Sequence, residues 1–246
     1  ATWHSDFTGE QSRSEVISHR MVDPRMRIRP NPREVERAAR LLVEAERPML
    51  FVGDELYKGK VVDKAVRLAE LLGMPVTQPR QVFANFPQPH PLWVGGSAMR
   101  TQKPDLVINV GNKLHHFGSA PMVPRDVKFI DLRNDSDSMG NVITTDVPLV
   151  ADVGYGLDDL LAALEDLMTP AIRQQGQERA EQVRAYTDRA RELWPVMTRN
   201  PDWDNSPMIS DRVTYEIAQF ADKDACFVDE SSVGGKHFLG FNPLGG

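Results

Sequence analysis

The stretch richest in chemical groups runs Asp229-Glu230-Ser231-Ser232-Val233-Gly234-Gly235-Lys236-His237. It follows directly on the apolar run Cys226-Phe227-Val228, as a turn follows a strand. Ser231 and Ser232 offer hydroxyl donors, and Val233 and Gly234 offer backbone N–H groups. Glycine lets a backbone approach phosphate closely, so a turn of this kind can cradle an anion. Ser231, Ser232, Val233 and Gly234, with Glu230 at the start of the turn, are the candidate residues for binding an anionic cofactor. The competing reading is an ordinary strand-end turn capped by serine. His237 has the intrinsic pKa for proton transfer, but with Lys236 it reads as a solvated surface pair.

Other candidates are weaker. Gly53, Gly95, Gly96, Gly111 and Asn112 fall after strands or in turns, where freed amides can hold a phosphate. Asp54 and Glu55 follow Gly53 at once and would set negative charge against a diphosphate, so structural turns are the better reading. His115 and His116 are adjacent and point apart on regular structure, with no second pair to complete a metal site. Cys226 is the single cysteine and sits inside an apolar run, so it reads as a packed small hydrophobe. Asp131 closes a strand where an acid can bond a ribose hydroxyl, but no Gly-x-Gly-x-x-Gly accompanies it, which argues against NAD. Trp93, Trp194 and Trp203 read as packing residues. No catalytic side chain and no metal ligand are assigned.

The elements that must position these groups alternate in type. Asn31 and Pro32 cap and begin a helix near 33–46, with Val35, Ala38, Ala39, Leu42 and Ala45 on one stripe. A buried strand at 47–53, a helix at 59–73 ended by Gly73, and a strand at 74–78 follow. Further strands are expected at 105–111, 127–132 and 148–153, apolar on both faces as covered parallel strands are, and a helix at 156–168. The fold class is α/β: a Rossmann-like, doubly wound parallel sheet followed by an incomplete second α/β domain. Residues 171–194 form a highly charged helix with a thin apolar face, the look of a bridge between domains. A helix at 208–221 and a strand at 224–230 open a second α/β pattern, too little to bury a core by itself.

The composition is that of an ordinary globular protein, with 246 residues, 41% hydrophobic, 26% charged and a net charge of −6. That charge gives no basic face for nucleic acid or an anionic membrane. No apolar run approaches bilayer length, the N-terminus lacks a secretory pattern, and one cysteine excludes a disulfide framework. A cytoplasmic protein is expected.

The order of features resembles the thiamine-diphosphate-dependent enzymes of the acetolactate synthase, benzoylformate decarboxylase and oxalyl-CoA decarboxylase group. The resemblance is carried by "RPMLFVGDEL", "LAELLGMPVTQ", "HPLWVGGSAMR", "KPDLVINVGNKL", "KFIDLRNDSDSMGN" and "DVPLVADVGYGLDDLLAAL", in family order. "ISDRVTYEIAQFADKDACFVDESS" is similar to the opening of the family's diphosphate-binding domain. The turn at Glu230-Ser231-Ser232 resembles that of benzoylformate decarboxylase-like members and departs from the Gly-Gln-His-like turn of acetolactate synthases.

The resemblance implies a linker at 1–30, a middle Rossmann-like domain at 31–169, a charged helix and linker at 170–206, and the beginning of a diphosphate-binding domain at 207–246. It implies thiamine diphosphate and Mg²⁺ in the complete enzyme, with FAD or ADP in the middle domain possible and not favoured. The expected activity is a 2-oxo-acid decarboxylase or carboligase, working as a homo-oligomer and silent in this segment alone. The missing walls, an N-terminal pyrimidine-binding region and the rest of the C-terminal region, would come from further chain or a partner subunit. The alternative is a stand-alone adenine-nucleotide-binding or assembly module without catalysis.

Overall fold

The computed structural model describes residues 28–79, 83–95, 98–114, 123–193, 199–222 and 225. Helix α1 (Pro32–Glu44) begins as its sequence dictates: the Asn31 side chain accepts from the Arg33 amide at 3.0 Å, and Pro32 takes the first turn. Strand β1 (Pro48–Val52) follows and is buried throughout. The helix expected at 59–73 is present from Val62, and a separate short helix precedes it. A short α2 (Asp54–Gly59) is stopped by Lys60 in the left-handed region, and α3 (Val62–Leu72) ends at Gly73, also left-handed. Asp54 and Glu55 in the first turn of α2 suit a helix N-terminus, which is why the segment turns helical earlier than the apolar stripe alone indicates.

Strands β2 (Val76–Thr77), β3 (Leu106–Val110), β4 (Lys128–Arg133) and β5 (Val147–Val150) complete a five-stranded sheet in the order β2-β1-β3-β4-β5. Every pairing between neighbours is parallel. The order reverses between β1 and β3, which makes the carboxyl ends of those strands the switch point of the sheet. Helix α4 (Ala98–Gln102) precedes β3, and α5 (Val153–Leu167) follows β5 with Asp152 accepting from the amides of Gly154 and Tyr155.

Strand alternation sorts the core into two layers. Leu50, Val52, Ile108, Val110, Ile130 and Leu132 face α1, α3 and α5, while Met49, Phe51, Val107 and Phe129 face α4 and the Val123 region. Burying each of these large side chains contributes roughly 1.5–3 kcal/mol. Strand β5 departs from the expected two-sided burial because it is an edge: Pro148, lacking an N–H, is exposed there.

Helix α6 (Pro170–Leu193) is the charged helix, and its thin apolar face lies on α3. Gly176, Val183 and Thr187 are buried along it, seven and then four residues apart, which keeps them on one helical face. Helix α7 (Ser210–Phe220) carries Val213, Ile217 and Phe220 exposed, the last 87% so. The strand expected at 224–230 lies outside the described residues, Ala225 excepted. Among the described residues no helix is long and apolar enough to cross a membrane.

Candidate functional site: the strand-end crevice

Glu230, Ser231, Ser232, Val233 and Gly234 lie outside the described residues, as do Cys226, Lys236, His237, Gly96, His115 and His116. The structure does place the second group of candidates: Gly53, Gly111, Asn112, Asp54, Glu55 and Asp131 converge at the carboxyl end of the sheet.

The turns after β1 and β3 touch. A Cβ on Gly53 would lie 2.2 Å from the Asn112 Cα and 2.4 Å from the Gly111 carbonyl oxygen. Gly111 itself has φ +68, and a side chain there would meet Glu55. The Glu55 amide donates to the Gly111 carbonyl at 3.2 Å, so the start of α2 is tied across the switch point to the end of β3. Two further amides of α2 are also taken, Leu56 by the Gly53 carbonyl and Tyr57 by the fully buried Asn85 side chain. Asn85 donates in turn to the Asp54 carboxylate at 3.0 Å.

Beside this lies a buried polar cluster. Asn109 on β3 pairs in register with Asp131 on β4, and its side-chain N–H₂ donates to Asp131 Oδ1 and to the Asn112 carbonyl, each at 2.8 Å. Arg133 donates from Nε and Nη2 to Asp131 Oδ2, both at 3.0 Å, and from Nη1 to Ser138 Oγ at 2.8 Å. Ser138 donates to Asp135, which also pairs with Lys113 at 3.3 Å. Burial pushes the Asp131 carboxyl above the ordinary range, against the hydrogen bonds and charge of Asn109 and Arg133. Asp135, exposed, is held down to about 2 by Ser138 and Lys113. Glu55 is pushed up to about 7 by burial, with the Asn134 amide, donating at 3.0 Å, and the Arg133 charge working the other way. Asn109 Oδ1 and Asn112 Nδ2 are buried without a protein partner.

Both oxygens of Asp131 are thereby engaged within the protein, Oδ1 by Asn109 and Oδ2 by Arg133. Sequence reasoning did not single out Asn109, Arg133 or Asn85. The available signal was polarity inside an apolar run, Asn109 in "DLVINVG" and Arg133 closing "KFIDLR". A buried polar group needs a partner, so such interruptions mark residues that meet.

Residues 35–164 match the family described as thiamine pyrophosphate enzyme, central domain. The chain belongs to the thiamine pyrophosphate enzyme family. It is 28% identical over 210 residues to an acetolactate synthase of Mycobacterium bovis, a match covering 81% of this chain and 33% of that protein. It is 29% identical over 167 residues to the sulfoacetaldehyde acetyltransferase of Castellaniella defragrans, covering 63% and 28% respectively. The chain thus spans about a third of the length of the curated relatives it matches. The crystal structure of benzoylformate decarboxylase from Polynucleobacter necessarius superposes with a TM-score of 0.63 at 17% identity, over 93% of this chain and 41% of that one, a likeness of fold.

The family implies thiamine diphosphate. The described switch-point turns do not fit it: the Glu55, Leu56, Tyr57, Gly111 and Asn134 amides are bonded to protein acceptors, and the turns after β1 and β3 are in contact. Among the described residues no group of three or more His, Cys, Asp or Glu is arranged to hold a metal ion.

Proposed function

We propose that this chain supplies the central domain, and the opening of the diphosphate-binding domain, of a thiamine-diphosphate-dependent 2-oxo-acid decarboxylase or carboligase. The observation that carries this reading is the family match over residues 35–164, on a parallel sheet of the corresponding fold. In this reading residues 31–169 are the central domain, 170–206 a connecting helix and linker, and 207–246 the start of the next domain. The exposed apolar residues in and just before α7 support that last division, since Met208, Val213, Ile217 and Phe220 are large side chains that call for cover.

Glu230, Ser231, Ser232, Val233 and Gly234 would contribute hydroxyl and amide donors to the cofactor's diphosphate, with Mg²⁺ held by groups beyond this set. When bound, thiamine supplies the electron sink for decarboxylation, and the rest of the site comes from further chain or a partner subunit in a homo-oligomer. The 246-residue chain alone is expected to show no thiamine-dependent turnover of a 2-oxo acid. The complete enzyme carrying this segment is expected to show it, and Ser231→Ala with Ser232→Ala to raise the thiamine diphosphate it requires about tenfold. Turnover by the isolated chain overturns the reading.

A further inference from the structure

In open α/β sheets a nucleotide phosphate is held at the switch point by amides at strand ends and helix N-termini. In this chain seven of those donors have protein acceptors. The Glu55, Leu56 and Tyr57 amides of α2 go to Gly111, Gly53 and Asn85. At the ends of β3 and β5, the Gly111 amide goes to Leu132 and the Ala151 amide to Arg133, and the Asp152 amide goes to Ile28. The Asn134 amide, beyond β4, goes to the Glu55 carboxylate at 3.0 Å. Gly53 against Asn112 leaves no gap between the two turns.

We propose that Glu55 is the resident anion of this crevice, a specificity-determining residue whose carboxylate takes the seat at Asn134 that a ligand phosphate would need, so that the central domain refuses nucleotides there. The groups facing Glu55 fit this role. Arg133 on β4 is neutralised by Asp131, Lys113 after β3 is paired with Asp135, and Asp54 on α2 itself is bonded to Asn85. The cations near the crevice are therefore already answered by carboxylates, and a diphosphate entering it would meet Glu55 and Asp54 first. This inference is independent of the thiamine chemistry: nucleotide binding here would overturn it and leave the family reading intact.

Calorimetric titration of the chain with ADP and with inorganic diphosphate, above the pH at which Glu55 ionises, tests it. Wild type and Glu55→Gln, which keeps an acceptor for Asn134, are expected to give no saturable binding up to the order of 1 mM. Glu55→Ala frees the Asn134 amide and is expected to bind diphosphate at least about tenfold more tightly than wild type. A second readout needs no variant: the Asn134 amide of the wild type is expected to be protected from hydrogen exchange. Saturation of the wild type by either probe at the order of 10 μM overturns the proposal. An unchanged diphosphate affinity in folded Glu55→Ala, or exchange of the Asn134 amide at the rate of a free amide, does so as well.

Discussion

Gly73 and Gly176 meet so closely that a Cβ on Gly73 would lie 2.0 Å from the Gly176 carbonyl oxygen. Gly73 also has φ +64, where an L side chain is strained in any surroundings. The end of α3 and the second turn of α6 are therefore docked backbone to backbone. Gly73→Ala is expected to lower the unfolding free energy by roughly 2–4 kcal/mol in urea titration. Gly140→Ala is the control, since Gly140 has φ +77 but open space around it. It should cost only the backbone strain, about 1 kcal/mol.

Arg179 secures the same docking three residues further along α6. Its Nε donates to the Leu72 carbonyl at 2.9 Å and its Nη1 to the Ala45 carbonyl at 3.0 Å, closing the ends of α3 and α1 together. A cation is favoured at both places by the helix dipoles. Arg179→Met is expected to cost about 1–3 kcal/mol and to speed hydrogen exchange in the last turn of α3. Arg179→Lys should recover little, because one ammonium cannot reproduce a planar fork that spans two helix ends.

Asp131 and Arg133 form a buried pair whose halves should not be separable. Arg133→Met leaves the Asp131 carboxylate without its guanidinium among apolar residues, at an expected cost of about 3–5 kcal/mol. Its stability should fall further as pH rises through the range where that raised carboxyl ionises. Asp131→Leu combined with Arg133→Met removes both charges and is expected to recover most of the loss. Denaturant midpoints of the single and double variants decide it.

The architecture was legible because covered parallel strands are written as apolar runs. Leu106–Val110 and Lys128–Arg133 stand out from any charged helix. Caps were legible too, since Asn31 before Pro32 states where α1 begins. The start of α2 was not, because six residues are too few to establish a helical period, and it is the acidic first turn that marks it. Nor was the docking of α6 on α3, since Gly176, Val183 and Thr187 are small or polar and leave a weak stripe among many charges. The crevice was half legible. Asp54 and Glu55 were recognisable as hostile to a phosphate, but the reach of Glu55 to Asn134 spans 79 positions and is visible only in three dimensions.

Glu55 gives the fold a pH dependence of definite sign. Unfolded, its carboxyl titrates near the ordinary 4.5; folded, burial moves it up to about 7. Between those values the folded chain keeps a proton that the unfolded chain has lost, so raising pH across this window lowers stability. Below the window both states are protonated and Glu55 contributes no penalty, while above it the full cost of a half-buried carboxylate is present. Asp131, raised by burial, acts in the same direction. Glu55→Gln keeps an acceptor for the Asn134 amide and removes the titration, so it is expected to flatten most of the decline while Asp131 retains the remainder. Urea midpoints of wild type and Glu55→Gln, measured across that window, check this. Equal slopes in the two proteins would show that Glu55 titrates as an ordinary surface carboxylate.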